Sequence, residues 1–447
     1  MNGEANYREI VVFETQPIKK SILQLAVPTV LSQLVFLIYN MVDTWFIGKT
    51  GDVDQMAAIT VSYPLYMILV AIGNMYGIGG SSFFARLLGS KDYRRAECVA
   101  GFSIWASCIT VLVYGLIIAC IMDPILGILG AEGRTIAFGK QYLFWTVIVG
   151  GTPIQLNVVL ANLLRAKGQA KFAGFGVSLG GVLNIILDPL FIFVFGMGIK
   201  GAAIATALAN FMGMLYFLSA LNREKEESVV IIPLSPMGIT LNEAREVYSI
   251  GAPAAIQIVL ASVSNGFLLG LMGDYDSAVI SGLGISQKLE AVPFQTFMGI
   301  SSGAMPLIAY NYASGNKKRM RDGIKIAIIY GLIITIAFLT IMEVFAPSLI
   351  RLFLNDPITV EYGSVFLRLR NVALPFVTIE FMLIAVFQGV GKSKEAFALS
   401  IFRKGIVDIP IMLLFQHLWY VYGLMLVQPL MEVFGCILAV WLYTKLR

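Results

Sequence analysis

The chain has 447 residues, of which 58% are hydrophobic and only 13% charged, with a mean hydropathy of +0.81. A soluble domain carries roughly 25% charged residues, so these figures exclude an ordinary water-soluble globule and place the chain in a bilayer. The formal net charge of +5 is distributed as a membrane protein distributes it, not as a basic patch, and no nucleic-acid partner is expected.

Apolar runs of about 20 residues, the length that spans hydrocarbon, occur twelve times. They lie near residues 21–47, 56–84, 96–121, 136–162, 172–196, 200–221, 248–272, 277–310, 322–346, 361–388, 395–416 and 419–444. The runs are too long for barrel strands and lack strict alternation, whereas a helix satisfies its own backbone polar groups in lipid. The expected fold is an all-α integral membrane protein with twelve transmembrane helices. The first 20 residues lack a short apolar core followed by a cleavage site, so the first span is expected to insert uncleaved.

The first span carries Gln33, Asn40 and Asp43 on an otherwise apolar helix and contains Pro28. The proline removes a backbone hydrogen bond. The polar stripe should face protein or water. In the fifth span Asn184 and Asp188 are four apart, which places both on one helix face a single turn apart, able to share a ligand. The sixth span sets Thr206 among Gly201, Ala202, Ala203, Ala205 and Ala207, small residues that let a neighbouring helix approach. A carboxylate at the bilayer centre costs about 2.5 to 3.5 kcal/mol on insertion scales, so Asp43 and Asp188 should face the bundle interior. Carboxylate, carbonyl and hydroxyl oxygens suit a proton or a hard cation such as sodium.

The connector, residues 222–247, is the longest polar stretch. Thr240-Leu-Asn-Glu243 fits a capping box that starts a short interfacial helix. The expected domains are therefore a six-helix lobe over 1–221, a cytoplasmic linker over 222–247 and a second six-helix lobe over 248–447. The lobes look alike: Pro28 is echoed by Pro253, Asn40 by Asn265, Gly89-Ser90-Lys91 by Gly315-Asn316-Lys317, and Gly168-Gln169-Ala170-Lys171 by Gly391-Lys392-Ser393-Lys394. Offsets of about 222 to 226 recur throughout, and six spans per repeat relate the lobes by an axis along the membrane normal. By our assignment about 22 of the Lys and Arg side chains fall on one side and about 5 on the other, so the positive-inside rule puts both termini in the cytoplasm.

In the second lobe the intramembrane polar residues are Lys288, Glu290, Glu343, Arg368, Arg370, Glu380, Gln388, Arg403, Asp408 and Glu432. Most are expected to be structural, with Glu380 and Asp408 the better functional candidates. Arg403 and Lys404, near a span start, are expected to snorkel to the cytoplasmic interface. Cys98, Cys108, Cys120 and Cys436 show no CxxC spacing and His417 is the only histidine, so neither redox chemistry nor a zinc site is expected. No GxxxxGK[ST] loop is present, and no cofactor is expected.

Ala-Val-Pro28, Val-Asp43-Thr-Trp-Phe-Ile-Gly, Arg165-Ala-Lys-Gly168, Asn184 to Asp188-Pro189 and Gly389-Val-Gly-Lys392 together resemble the multidrug and toxic compound extrusion (MATE) family from about residue 17 to 445. The likeness is strongest to the MepA-type and DNA-damage-inducible exporter branch. The resemblance implies a cation/drug antiporter, not an enzyme, in a bacterial inner membrane. It implies H+ or Na+ as coupling ion, cationic or amphipathic small molecules as substrates, contact with membrane lipids and no obligate protein partner. It also implies a cation site at Asp43, Asn184, Asp188 and Thr206, with Tyr142 and Pro28 in support, and Asn40, on the same polar stripe as Asp43, is expected to support it as well. Another branch of the family carries an acid after the proline of the seventh span. Gln257 to Asn265 contains none here, which leaves Gln257, Glu380 and Asp408 as the candidates for a second-lobe site. Rival readings are a lipid-linked oligosaccharide flippase, which calls for extra spans and an arginine-rich cavity, and a membrane-embedded prenyl-transfer enzyme, which needs an Asp-rich magnesium motif.

Overall fold

A computed structural model describes residues 8–223, 230–235, 238–273, 275–404 and 407–446. Of the expected linker, residues 224–229 and 236–237 therefore lie outside the described residues, as do residues 405–406 of the eleventh expected span. The described residues are helical almost throughout, without a strand. In the first half α1 (Arg8–Glu14) is a short surface helix, followed by α2 (Ile18–Lys49), α3 (Val53–Gly89), α4 (Tyr93–Ile128), α5 (Arg134–Leu143), α6 (Gly151–Ala166), α7 (Ala170–Pro189) and α8 (Gly198–Arg223). The second half comprises α9 (Leu241–Met272), α10 (Ser277–Ala313), α11 (Lys317–Arg351), α12 (Pro357–Asn371), α13 (Leu374–Gly389), α14 (Ser393–Arg403) and α15 (Asp408–Leu446).

Eight helices are long and apolar enough to cross a membrane, and two bent pairs, α5 with α6 and α12 with α13, bring the number to ten. The bends, 48° and 45°, fall before Pro153 and Pro375, where the missing N–H opens the helix ladder. These prolines are 222 residues apart, so the kink repeats with the rest of the pattern. Of the twelve expected spans, α10 is long enough but too polar to qualify by composition. Its buried face holds Gly282, Ser286, Glu290 and Thr296, because a helix enclosed by other helices need not be apolar on every side. The last crossing counts as one 54-residue span, yet Trp419 and Tyr420 are non-helical and Tyr420 has φ +52°. Gly423 packs directly on the Phe415 carbonyl, a contact that a continuous helix could not make, so the chain turns back there.

The capping box forms as the sequence predicts: Glu243 N–H donates to Thr240 Oγ1 at 3.3 Å and Thr240 N–H to Glu243 Oε2 at 2.7 Å. The helix it starts is not a separate interfacial element. Leu241–Met272 is unbroken, so the box caps the first turn of the long span itself.

The two halves meet along α2 with α10 and α3 with α9. Glycines make the approach possible: Gly79 against Val247 and Gly251, Gly251 against the Met75 carbonyl, and Gly303 against Ala26, all with backbone on backbone. Hydrogen bonds joining the halves gather at the same end. Arg86 Nη1 reaches Glu246 Oε1 at 2.7 Å, Arg95 Nε reaches Glu243 Oε1 at 2.7 Å, Tyr76 and Tyr248 share a 3.0 Å contact, and Ser82 Oγ donates to the Gln388 carbonyl at 2.5 Å. This is the end that carries Lys91, Arg94, Lys317, Lys318 and Lys392.

Candidate functional site

The site is built on a seam between α2 and α7. Gly174 faces the Pro28 backbone, where an added β-carbon would lie 2.6 Å from the carbonyl oxygen, and Gly181 faces Val35 and the Tyr39 ring. Both series advance by seven residues, 28 to 35 and 174 to 181, about two helical turns per step. One more step along α7 is Asp188, and one more along α2 is Val42, the neighbour of Asp43. Small residues thus draw the helices together and deliver the two carboxylates to the same level. Pro28 serves this contact without breaking α2, which carries no non-helical residue there.

Asp188 is fully buried, Asn184 and Thr206 nearly so, and Asp43 half-buried. Asn184 Nδ2 donates to Asp188 Oδ1 at 3.1 Å and to Thr206 Oγ1 at 3.3 Å, so α7 and α8 share one amide. That leaves Asp188 Oδ2, Asn184 Oδ1 and Asp43 Oδ1 buried without a hydrogen-bond donor. Unpaired buried acceptors are costly. Three of them, two being carboxylate oxygens on residues close enough for their charges to interact, form a set of acceptors suited to a cation.

Tyr142 is buried and lies within electrostatic reach of both Asp43 and Asp188. Two residues missed by sequence reasoning join it, Tyr39 and Tyr66, both in electrostatic reach of Asp43. Tyr39 precedes Asp43 by four residues, a same-face spacing that could have marked it. Tyr66, on α3, had no such signal. The helix ladder also loosens on the C-terminal side of the cluster. Residues Phe144–Val149, after Tyr142, and Leu190–Val194, after Asp188, are π-helical, a form frequent at functional sites. Asn40 sits at the edge of the cluster: its side chain hydrogen-bonds Tyr39, and its amide donates to the Phe36 carbonyl at 2.7 Å.

The second-lobe candidates are held differently. Arg403 is buried and donates to Glu432 through Nε at 2.9 Å and Nη2 at 2.9 Å, with Phe381 4.2 Å beneath its guanidinium. The expected snorkelling of Arg403 does not occur, because Glu432 and the Phe381 face give the charge better partners inside the lobe. Glu380 is fully buried; its nearest cation is Arg403 at 4.0 Å, and neither of its oxygens accepts a hydrogen bond. Arg370 is paired with Glu290 at 2.7 Å, and Gln428 donates to the same carboxylate at 2.9 Å. Asp408 accepts a short hydrogen bond from Ser264. Gln257 is half-buried. Lys288 is exposed and does not take part in the Glu290 pair. Among the described residues no group of His, Cys, Asp and Glu is arranged to hold a metal ion in the manner of a resident metal centre.

The MatE family profile matches residues 28–190 and 253–414, once in each half, with starts 225 residues apart. The multidrug export protein MepA of Staphylococcus haemolyticus is 32% identical over 445 residues, covering 98% of this chain and 96% of its own. MepA of Staphylococcus aureus is 30% identical over 416 residues, covering 93% and 91%. In fold, the chain is similar to a solved outward-facing conformation of a multidrug resistance MATE family transporter of the MOP superfamily. The TM-score is 0.89 at 24% identity, with 98% of each chain covered. A profile spanning both halves and relatives matching almost the full length make this chain a member of the MatE family of multi-pass membrane transporters.

Proposed function

We propose that the chain is a secondary-active multidrug exporter that exchanges a cation, H+ or Na+, for cationic or amphipathic xenobiotics, moving them out of a bacterial cytoplasm across the inner membrane. It is a transporter and not an enzyme, as its family is. The observation that carries the coupling is the set of three donorless buried oxygens on Asp43, Asn184 and Asp188. With α10 as a crossing and the last span divided at Trp419–Tyr420, the chain passes the membrane twelve times. The basic, closed end then faces the cytoplasm by the positive-inside rule, so the lobes part toward the outside.

Coupling follows from differential binding. Without a cation, Asp43 and Asp188 repel one another across the α2–α7 seam. A bound proton or sodium ion removes that repulsion and favours the arrangement in which the two helices stay close. A drug seated between the lobes favours the other arrangement, so the two ligands exclude each other through the lobe geometry. One charge moving through 100 mV releases about 2.3 kcal/mol before any chemical gradient is added, enough to drive a drug outward.

Export of a cationic dye from proteoliposomes under an imposed proton or sodium gradient tests the reading. Asp188→Asn should abolish gradient-driven export while leaving thermal stability in detergent near wild type, and the gradient that sustains export names the ion. Export by Asp188→Asn at the wild-type rate would overturn the site.

A further inference from the structure

The second half holds a basic pocket outside the α2–α7 seam, at the basic end of the bundle. Lys317 and Arg321 at the start of α11, Lys392 at the turn before α14 and Lys445 near the end of α15 line a cavity of about 210 Å³, together with Tyr312 and Tyr443. Among the described residues, none of the four cations has a carboxylate within ion-pair distance. Four positive charges converging without an ion pair among the described residues repel one another, and an anion placed among them relieves that repulsion.

The matching turn of the first half is built otherwise. Arg95 there is tied to Glu243 at 2.7 Å and to Asp92 at 3.5 Å, and Gln169 stands where the second half has Lys392. The first half thus has one basic side chain fewer at this turn and pairs Arg95, the counterpart of Arg321, with acids.

The surroundings identify the anion. Lys445 Nζ sits 3.3 Å over the Trp441 ring, and Trp441, Ile437 and Phe434 are exposed at 51%, 59% and 48% along one face of α15. A lysine and a tryptophan one turn apart above an exposed apolar stripe are the features of a membrane interface. We propose that this pocket binds the phosphate headgroup of an anionic phospholipid, its acyl chains lying along Trp441, Ile437 and Phe434. The lipid bridges α11, α14 and α15, and basic pockets between helices on the cytoplasmic side bind headgroups in this way.

The test uses the full chain in neutral detergent, titrated with phosphatidylglycerol, phosphatidylcholine or inorganic phosphate, and native mass spectrometry to count retained molecules. Phosphatidylglycerol should bind in preference to phosphatidylcholine. The double substitution Lys317→Gln with Lys392→Gln should weaken it about 25-fold, the factor for two basic contacts at an anionic surface. Lys394→Gln, exposed beside the pocket but not lining it, should leave it unchanged. Equal retention by the double variant, or an equal loss in Lys394→Gln, would overturn the site. Inorganic phosphate binding as tightly as the lipid would overturn the assignment to a headgroup. A thermal-shift comparison distinguishes misfolding from lost binding, since a folded double variant melts with wild type in phosphatidylcholine and differs only in phosphatidylglycerol.

Discussion

Replacing Gly174 with alanine is expected to impair ion-coupled export although the residue touches no ligand. The added β-carbon would sit 2.6 Å from the Pro28 carbonyl oxygen, 3.1 Å from its carbonyl carbon and 3.0 Å from its Cβ. Ordinary contact begins at 3.4 Å, so the worst overlap is 0.8 Å. Its partner is backbone in a proline-containing helix, which cannot rotate aside, so α2 and α7 must separate. Overpacking of this kind costs about 1 to 3 kcal/mol. The separation also pulls Asp43 from Asp188, because the two carboxylates belong to the two helices being forced apart. A displacement near 1 Å in a positioned site costs on the order of 100-fold. Dye export from proteoliposomes should therefore fall at least tenfold and demand a higher cation concentration, with a modest drop in melting temperature. Gly180→Ala is the control: it lies on the same helix, and its nearest neighbour is the Ala209 carbonyl at 3.6 Å, so export should be near wild type. Wild-type export and cation dependence in Gly174→Ala would refute the seam as the device that positions the site.

Other predictions concern the second lobe and the basic end. Arg403→Leu strands Glu432 and Glu380 in a buried site and should cost about 3 to 5 kcal/mol in unfolding free energy, most of it recovered only when Glu432→Leu and Glu380→Leu are both added. Glu380→Gln, which removes a buried carboxylate whose oxygens accept no hydrogen bond, should leave gradient-driven export intact. Loss of export there would place part of the coupling in the second lobe. Arg319 donates to the Phe13 carbonyl at 2.5 Å, the Gln16 carbonyl at 2.6 Å and Ser21 Oγ at 3.2 Å. Arg319→Ala should accordingly release α1, read as at least tenfold faster amide exchange over residues 10–16 by mass spectrometry.

Much of the fold could be read from composition, because lipid imposes long apolar runs, and the duplication could be read from Pro28 and Pro253 and from the paired basic turns. Asn184 and Asp188 were legible as a pair for a simple reason: four residues on a helix is one turn, and the spacing alone fixes a shared face. Asp43 was legible by the cost of a carboxylate among apolar neighbours. What failed was partner choice across helices. Arg403 lies near a span start and has the look of a snorkelling side chain, but whether it meets water or Glu432 depends on how α14 and α15 pack, and no local pattern encodes that. Tyr66 was invisible for the same reason. α10 is polar because its buried face, with Gly282, Ser286, Glu290 and Thr296, meets other helices, so composition alone does not mark it as a span. The short helix expected at Thr240 failed at its far end only: the capping box signals where a helix begins, and nothing in Leu241 to Ser249 signals a stop.

The closed end has a further organisation that bears on how such a transporter changes state. α1 precedes the first lobe in the chain but packs on the second: Phe13 stacks on Tyr310 at 5.0 Å, Tyr310 hydroxyl donates to Glu14 at 2.6 Å, and Arg319 gathers the carbonyls at the end of α1. The segment before α9 does the converse, preceding the second lobe and packing on the first. Trp105 Nε1 donates to the Leu234 carbonyl at 3.0 Å and Glu97 accepts from Ile231 N–H at 3.1 Å. Each lobe is thus strapped by the other's leader. When the lobes separate at this end, Arg86–Glu246 and the glycine contacts of α3 with α9 must break. A strap anchored on the opposite lobe instead travels with that lobe and bends where it joins its own, at Thr15 to Pro17 and at Gly238 to Thr240. Arg95–Glu243 and Arg319–Ser21 lie beyond those joints, so they tie lobe to lobe directly and must break together with Arg86–Glu246 as this end opens.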